Sequence, residues 1–200
     1  MTRIFLQVAA FLALTCTVYG ENWPQWRGPH NNGVSAEKGL PTTWSPTKNL
    51  AWKLELPGRG SSTPVIWKDR IFVTTADQGE LRLLCVSTEG KVVWNKKIAD
   101  ESRKITKKDE VNNEASPSAC TDGKLVYAFV GSGDFKCFDF DGNEKWHFNV
   151  QDRYKKKFSM YHGVHVSPIM HQDKLYMNII HTNGYWVFAI DKATGNEVWK

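Results

Sequence analysis

No stretch of the 200-residue chain holds the 18 or more apolar residues in a row that a membrane-spanning helix requires, which excludes a helical spanning protein. Cysteine is sparse. The four residues include no Cys-x-x-Cys and no zinc-site spacing, so neither a disulfide-stapled miniprotein nor a zinc ribbon fits. A strong excess of one charge sign is also missing: 26 Lys and Arg face 21 Asp and Glu, a net charge of +5. Basic residues gather at 103–108 and 153–157, yet Asp109, Glu110 and Asp152 dilute both clusters. They read as solvated loops and not as a nucleic-acid-binding stripe. There is no G-x-S-x-G elbow, and Gly58-Arg59-Gly60 lacks the lysine and helix of a phosphate loop.

What is abundant is aromatic: nine Trp, ten Phe and six Tyr, punctuated by Gly and Pro, a composition that favours β structure. Residues 1–20 read as a signal peptide, with Arg3 as the positive start, an apolar run through Tyr19, and Val18 and Gly20 before a cleavage at Glu21. Lipidation of Cys16 ranks second, because Leu14 and Thr15 suit it poorly. The predicted organisation is therefore a signal peptide at 1–20, an extension at 21–51 and a repeat region at 52–200. The mature product is periplasmic or secreted, with no transmembrane span.

Self-comparison of the repeat region is informative. Cys85 through Gly90 to Trp94 aligns with Cys137 through Gly142 to Trp146, 52 residues on. A third copy runs Ala189-x-Asp191-x-x-Thr194-Gly195-x-x-x-Trp199, with one residue inserted before its glycine. Upstream, Thr63-Pro64, Ser116-Pro117 and Ser167-Pro168 each precede a polar turn and an apolar run: Ile71-Phe72-Val73, Leu125-Val126-Tyr127 and Leu175-Tyr176-Met177. Each unit predicts four short antiparallel strands, which is one propeller blade. One blade cannot cover its own faces, so neighbours must stack.

The third copy matches, position for position, the tryptophan-docking repeat of quinoprotein-like (PQQ-like) β-propellers. Trp23-Pro-Gln-Trp-Arg-Gly-Pro29 likewise resembles the N-terminus of exported members of that family. WD40 and kelch signatures are missing. The resemblance implies an all-β propeller segment of about three blades, with the ring completed by further C-terminal residues and the full-length form monomeric. It makes Trp94, Trp146 and Trp199, with Ala189, Asp191, Thr194 and Gly195, architectural, each indole resting on the neighbouring blade. Trp52-Lys-Leu54-Glu-Leu56 reads as an orphan fourth strand.

Polar residues before the three prolines are candidate contacts at the channel mouth: Arg59, Asn113, Glu114, His162 and His165. A metal site at His162-x-x-His165 is disfavoured, because strand-like spacing turns the two rings to opposite faces. By resemblance, the leading function is a BamB-type binding or scaffolding module with a protein or small-molecule partner. The alternative is the N-terminal part of a PQQ-dependent alcohol dehydrogenase. In that case PQQ and calcium are the cofactors, and Asn113 and Glu114 are the only residues here to consider as calcium ligands. The adjacent cysteines of true quinoprotein dehydrogenases are absent.

Overall fold

A computed structural model describes residues 20–102, 113–156, 164–181 and 184–200. The expected signal peptide up to residue 19, the 103–108 cluster and His162 lie outside the described residues. The chain forms three four-stranded antiparallel sheets. Blade 1 comprises β1 (Val65–Trp67), β2 (Arg70–Asp77), β3 (Glu80–Ser87) and β4 (Val92–Asp100). Blade 2 comprises β5 (Cys120–Thr121), β6 (Leu125–Phe129), β7 (Asp134–Asp139) and β8 (Glu144–Asn149). A single-turn helix, α1 (Val150–Tyr154), capped by the Asn149 side chain, leads out of it. Blade 3 comprises β9 (Ile169–His171), β10 (Lys174–His181), β11 (Gly184–Asp191) and β12 (Glu197–Trp199). Strand order within each sheet follows the sequence, as tight turns between antiparallel strands dictate. The expected all-β segment of three blades is therefore the observed fold.

Register explains the recurring residues. Across each blade one row pairs an aromatic, a small residue and a tryptophan: Phe72–Cys85–Trp94, Tyr127–Cys137–Trp146 and Tyr176–Ala189–Trp199. The small central side chain leaves room for the indole beside it. Immediately after it, every blade carries a register shift, at Cys85/Val86, Cys137/Phe138 and Ala189/Ile190. One detail differs from the sequence comparison. The run equivalent to Ile71-Phe72 begins at Val126, one residue late, because blade 2 accommodates two extra residues between Pro117 and its inner strand.

The core lies between blades. Phe72, Leu83 and Cys85 of blade 1 pack on Val126, Ala128 and Phe138 of blade 2. Tyr127, Phe135 and Phe148 of blade 2 pack on Leu175, Ile179 and Phe188 of blade 3. The described cysteines are buried and free, and burial pushes the Cys85 and Cys137 thiols up to about 12, so they act as small apolar groups.

Indoles join the blades at one repeated contact. Trp52 donates from Nε1 to the Thr88 carbonyl at 2.7 Å, Trp94 to Phe140 at 2.8 Å and Trp146 to Lys192 at 2.9 Å. Each ring lies against the positive-φ glycine of that same turn, Gly90, Gly142 or Gly195. Trp52 thus occupies the position expected of it, but residues 52–56 form no strand, since no neighbouring strand offers them a ladder.

Candidate functional site

The inner strands β1, β5 and β9 are sheet edges, and edges present unpaired N–H and C=O groups. Their equivalent residues are Ile66, Thr121 and Met170, which pair with Ile71, Val126 and Leu175. Three successive residues of the N-terminal segment accept the N–H groups of these three. Ile66 N donates to the Trp23 carbonyl at 2.8 Å and Thr121 N to the Pro24 carbonyl at 2.8 Å. Met170 N donates to Gln25 Oε1 at 3.1 Å. Trp23 N returns a bond to the Ile66 carbonyl at 2.8 Å, and Lys68 N donates to Asn22 Oδ1 at 2.7 Å. Residues 22–25 therefore form a strap that crosses all three blades, with Asn22 and Trp23 on blade 1, Pro24 on blade 2 and Gln25 on blade 3. Proline suits the middle position, because only its carbonyl is used.

Hydroxyls bridge the same inner region. Thr63 N donates to Ser118 Oγ at 2.8 Å, and Ser118 N donates to Ser167 Oγ at 2.9 Å. After Gln25 the chain turns, with Gly28 N bonded to the Gln25 carbonyl at 2.8 Å. Gly28 has φ +76°, and a Cβ there would sit 2.8 Å from the Trp23 ring, so glycine lets the turn fold onto the strap.

Between this turn and the inner strands lies a cavity of about 470 Å³. Trp26, Arg27 and Asn31 line it from the N-terminal side; Ser61, Ser116, Ser118, His165, Ser167 and Asn178 line it from the blades. Among the described residues no carboxylate lines it. Trp26 is 55% exposed, and the Arg27 guanidinium lies 6.0 Å from its ring centroid.

The sequence-derived candidates separate in space. His165 lines the cavity. Arg59 pairs through its backbone with Ala76, forms an ion pair with Glu101 at 3.2 Å, and lines a different, shallower hollow with Gly58 and Gln78. Asn113 and Glu114 are each 2% exposed and internally committed. Asn113 Oδ1 accepts from Ala115 N at 2.9 Å. Glu114 accepts from Ser102 N at 2.8 Å and from the Ser102 hydroxyl. With these oxygens engaged and buried, Asn113 and Glu114 do not fit a calcium site. Among the described residues no group of three His, Cys, Asp or Glu is placed to hold a metal, and no cysteines are adjacent. The described residues therefore do not fit PQQ with calcium. Sequence reasoning missed Gln25, Trp26 and Arg27, whose one signal was the conspicuous Trp-Pro-Gln-Trp-Arg segment, read only as a family marker; Ser116 and Ser167 were noted only as markers of the repeat beside Pro117 and Pro168.

Comparison with solved structures shows the same architecture. A quinohemoprotein alcohol dehydrogenase from Comamonas testosteroni superposes with a TM-score of 0.55 at 20% identity, over 75% of this chain and 22% of that one. A europium-containing methanol dehydrogenase gives 0.50 at 14% identity, over 71% and 24%. BamB from Moraxella catarrhalis gives 0.50 at 18% identity, over 72% and 38%. The chain thus spans well under half the length of each, and identities this low speak for the fold alone. No curated protein sequence matches it. A family model described as outer membrane protein assembly factor BamB matches residues 34–200, and the chain belongs to that family of PQQ-like β-propeller repeat proteins.

Proposed function

We propose that this chain is the N-terminal part of an exported binding or scaffolding propeller, active in the periplasm or outside the cell after loss of residues 1–20. The observation that carries this reading is the strap. Residues 22–25 cap equivalent inner-edge N–H groups of three blades and so make the axial end a rigid surface. Beside it stands a preformed cavity furnished with hydroxyls, amides, an indole, a guanidinium and the His165 imidazole, a mixture of apolar and hydrogen-bonding groups suited to holding a small ligand. On this reading His165 serves the cavity, Arg59 stays in its ion pair with Glu101 at a separate hollow, and Asn113 and Glu114 support the backbone.

The competing reading, a PQQ-dependent dehydrogenase, is separated by titrating the full-length protein with PQQ and calcium and following cofactor absorbance and alcohol-dependent dye reduction. The binding module gives neither saturable binding nor dye reduction, and retains a defined envelope protein on a column at physiological salt. Saturable PQQ binding with dye reduction overturns it.

A further inference from the structure

We propose that the axial cavity binds an anionic sugar, a pyranose unit carrying a carboxylate or sulfate; this rests on the binding-module reading and names its ligand class. Three features point the same way. The volume of about 470 Å³ falls within the roughly 300–1,000 Å³ of small-ligand pockets. Trp26, 55% exposed at its rim, offers a rigid apolar plate on which the C–H face of a pyranose ring stacks at little entropic cost. The rest of the lining mixes hydroxyl and amide groups, from Asn31, Ser61, Ser116, Ser167 and Asn178, with the His165 imidazole and apolar Val166, Pro168 and Ile169, matched to a ring that carries both hydroxyls and C–H faces.

The charge pattern selects the anion. Arg27 lines the cavity, and no carboxylate stands among the described lining residues to compensate it. A guanidinium binds carboxylate or sulfate through paired N–H donors, and a wall with no acid among its described residues does not compete for them. The net positive charge, +5 for the 200 residues and +4 once residues 1–20 with Arg3 are lost, adds long-range attraction for the same class of ligand. Arg27 donates one N–H to the Asn32 carbonyl at 3.4 Å, which leaves its other donors for an anionic group that a neutral sugar lacks. A flat aromatic acid would leave the hydroxyl-rich wall unpaired.

The test is calorimetric titration of the full-length protein with a galacturonate trisaccharide, a sulfated disaccharide and neutral maltotriose. The expected result is saturable binding of at least one anionic probe, at least tenfold tighter than maltotriose and weakened by salt. Which anionic probe binds tells carboxylate from sulfate. Trp26→Ala is expected to weaken binding at least tenfold. Arg27→Gln is expected to erase the preference for the anionic probe. Trp44→Ala, at a 65% exposed indole outside the cavity lining, is expected to leave binding unchanged. Both cavity positions are exposed, and unchanged thermal unfolding checks that the variants fold. Equal affinity for maltotriose, no binding of either anionic probe, or full binding by both cavity variants overturns the proposal. If the sugars fail while PQQ and dye reduction also fail and an envelope protein is retained, this inference falls and the binding-module reading stands.

Discussion

Gly142 and Gly195 are required twice over. Their φ values of +82° and +72° disfavour any side chain, and the added Cβ of Gly195 would lie 2.8 Å from Trp146 Cδ2. Gly79 has φ +83° with nothing within 4 Å of its absent Cβ. The contrast is a controlled experiment. Gly79→Ala should cost about 1–2 kcal/mol, the left-handed strain alone. Gly195→Ala should cost about 2–4 kcal/mol, because displacing the ring adds an overpacking penalty. Urea-unfolding midpoints of the two variants measure the difference. The residue before each such carbonyl has its own task. Asp191 Oδ1 accepts from Thr194 N and Thr194 Oγ1, both at 2.8 Å, and Ser87 and Asp139 anchor the equivalent turns. This contact was legible in the sequence because both of its halves, indole and glycine, recur with the blade.

The turn between β7 and β8 carries a pH dependence. The Lys145 ammonium, 2.8 Å away, and the Asn143 side chain and N–H hold the Asp139 carboxyl well below its ordinary range. A carboxyl with a depressed folded value stabilises fully above its unfolded value of 3.8, and that stability is lost as pH falls from there toward the folded value. Unfolding free energy should therefore fall below about pH 4 more steeply in the wild type than in Asp139→Asn, as thermal melts between pH 3 and 6 would reveal. The strap makes a prediction of its own. Gln25 is 5% exposed, and Gln25→Ala strands the Met170 N–H, at a cost of about 1–3 kcal/mol. Hydrogen exchange at Met170 should accelerate in that variant more than at Ile66 or Thr121, whose acceptors are backbone carbonyls. Residues 22–25 were unreadable as a strap because their partners lie at 66, 121 and 170, and a contact made once leaves no period to detect.

Across the whole molecule, blades 1 and 2 have their aromatic rows covered by the next blade, and blade 3 does not. Its outer face presents Tyr185 at 79% exposure, Ile180 at 62%, Val187 at 55% and Trp199 at 44%, with Trp199 touching Tyr176 at 6.1 Å between ring centroids. An uncovered apolar sheet face associates. The 200-residue polypeptide produced alone should bind a hydrophobic dye and self-associate with rising concentration, as sedimentation would record. Val187→Lys should reduce both without lowering the melting temperature by more than a few degrees. The candidate site was only partly legible at this scale. His165 was found from its place before Pro168, while Arg59 and Glu114, found by the same reasoning, project into other surroundings. Alignment on the prolines treats the blades as identical, and the two extra residues of blade 2 break that identity.

The order of strands and the recurrence of indole and glycine with each blade were determined by sequence alone, because each follows from local turn chemistry and from side chains that must repeat wherever the same contact repeats; that each indole rests on the glycine of the next blade's turn is seen in the structure. The strap, the cavity beneath it and the separation of Arg59 from His165 were decided only by tertiary structure. They arise where unlike segments meet around an axis, and the free energy of such a meeting depends on distances that no linear spacing encodes.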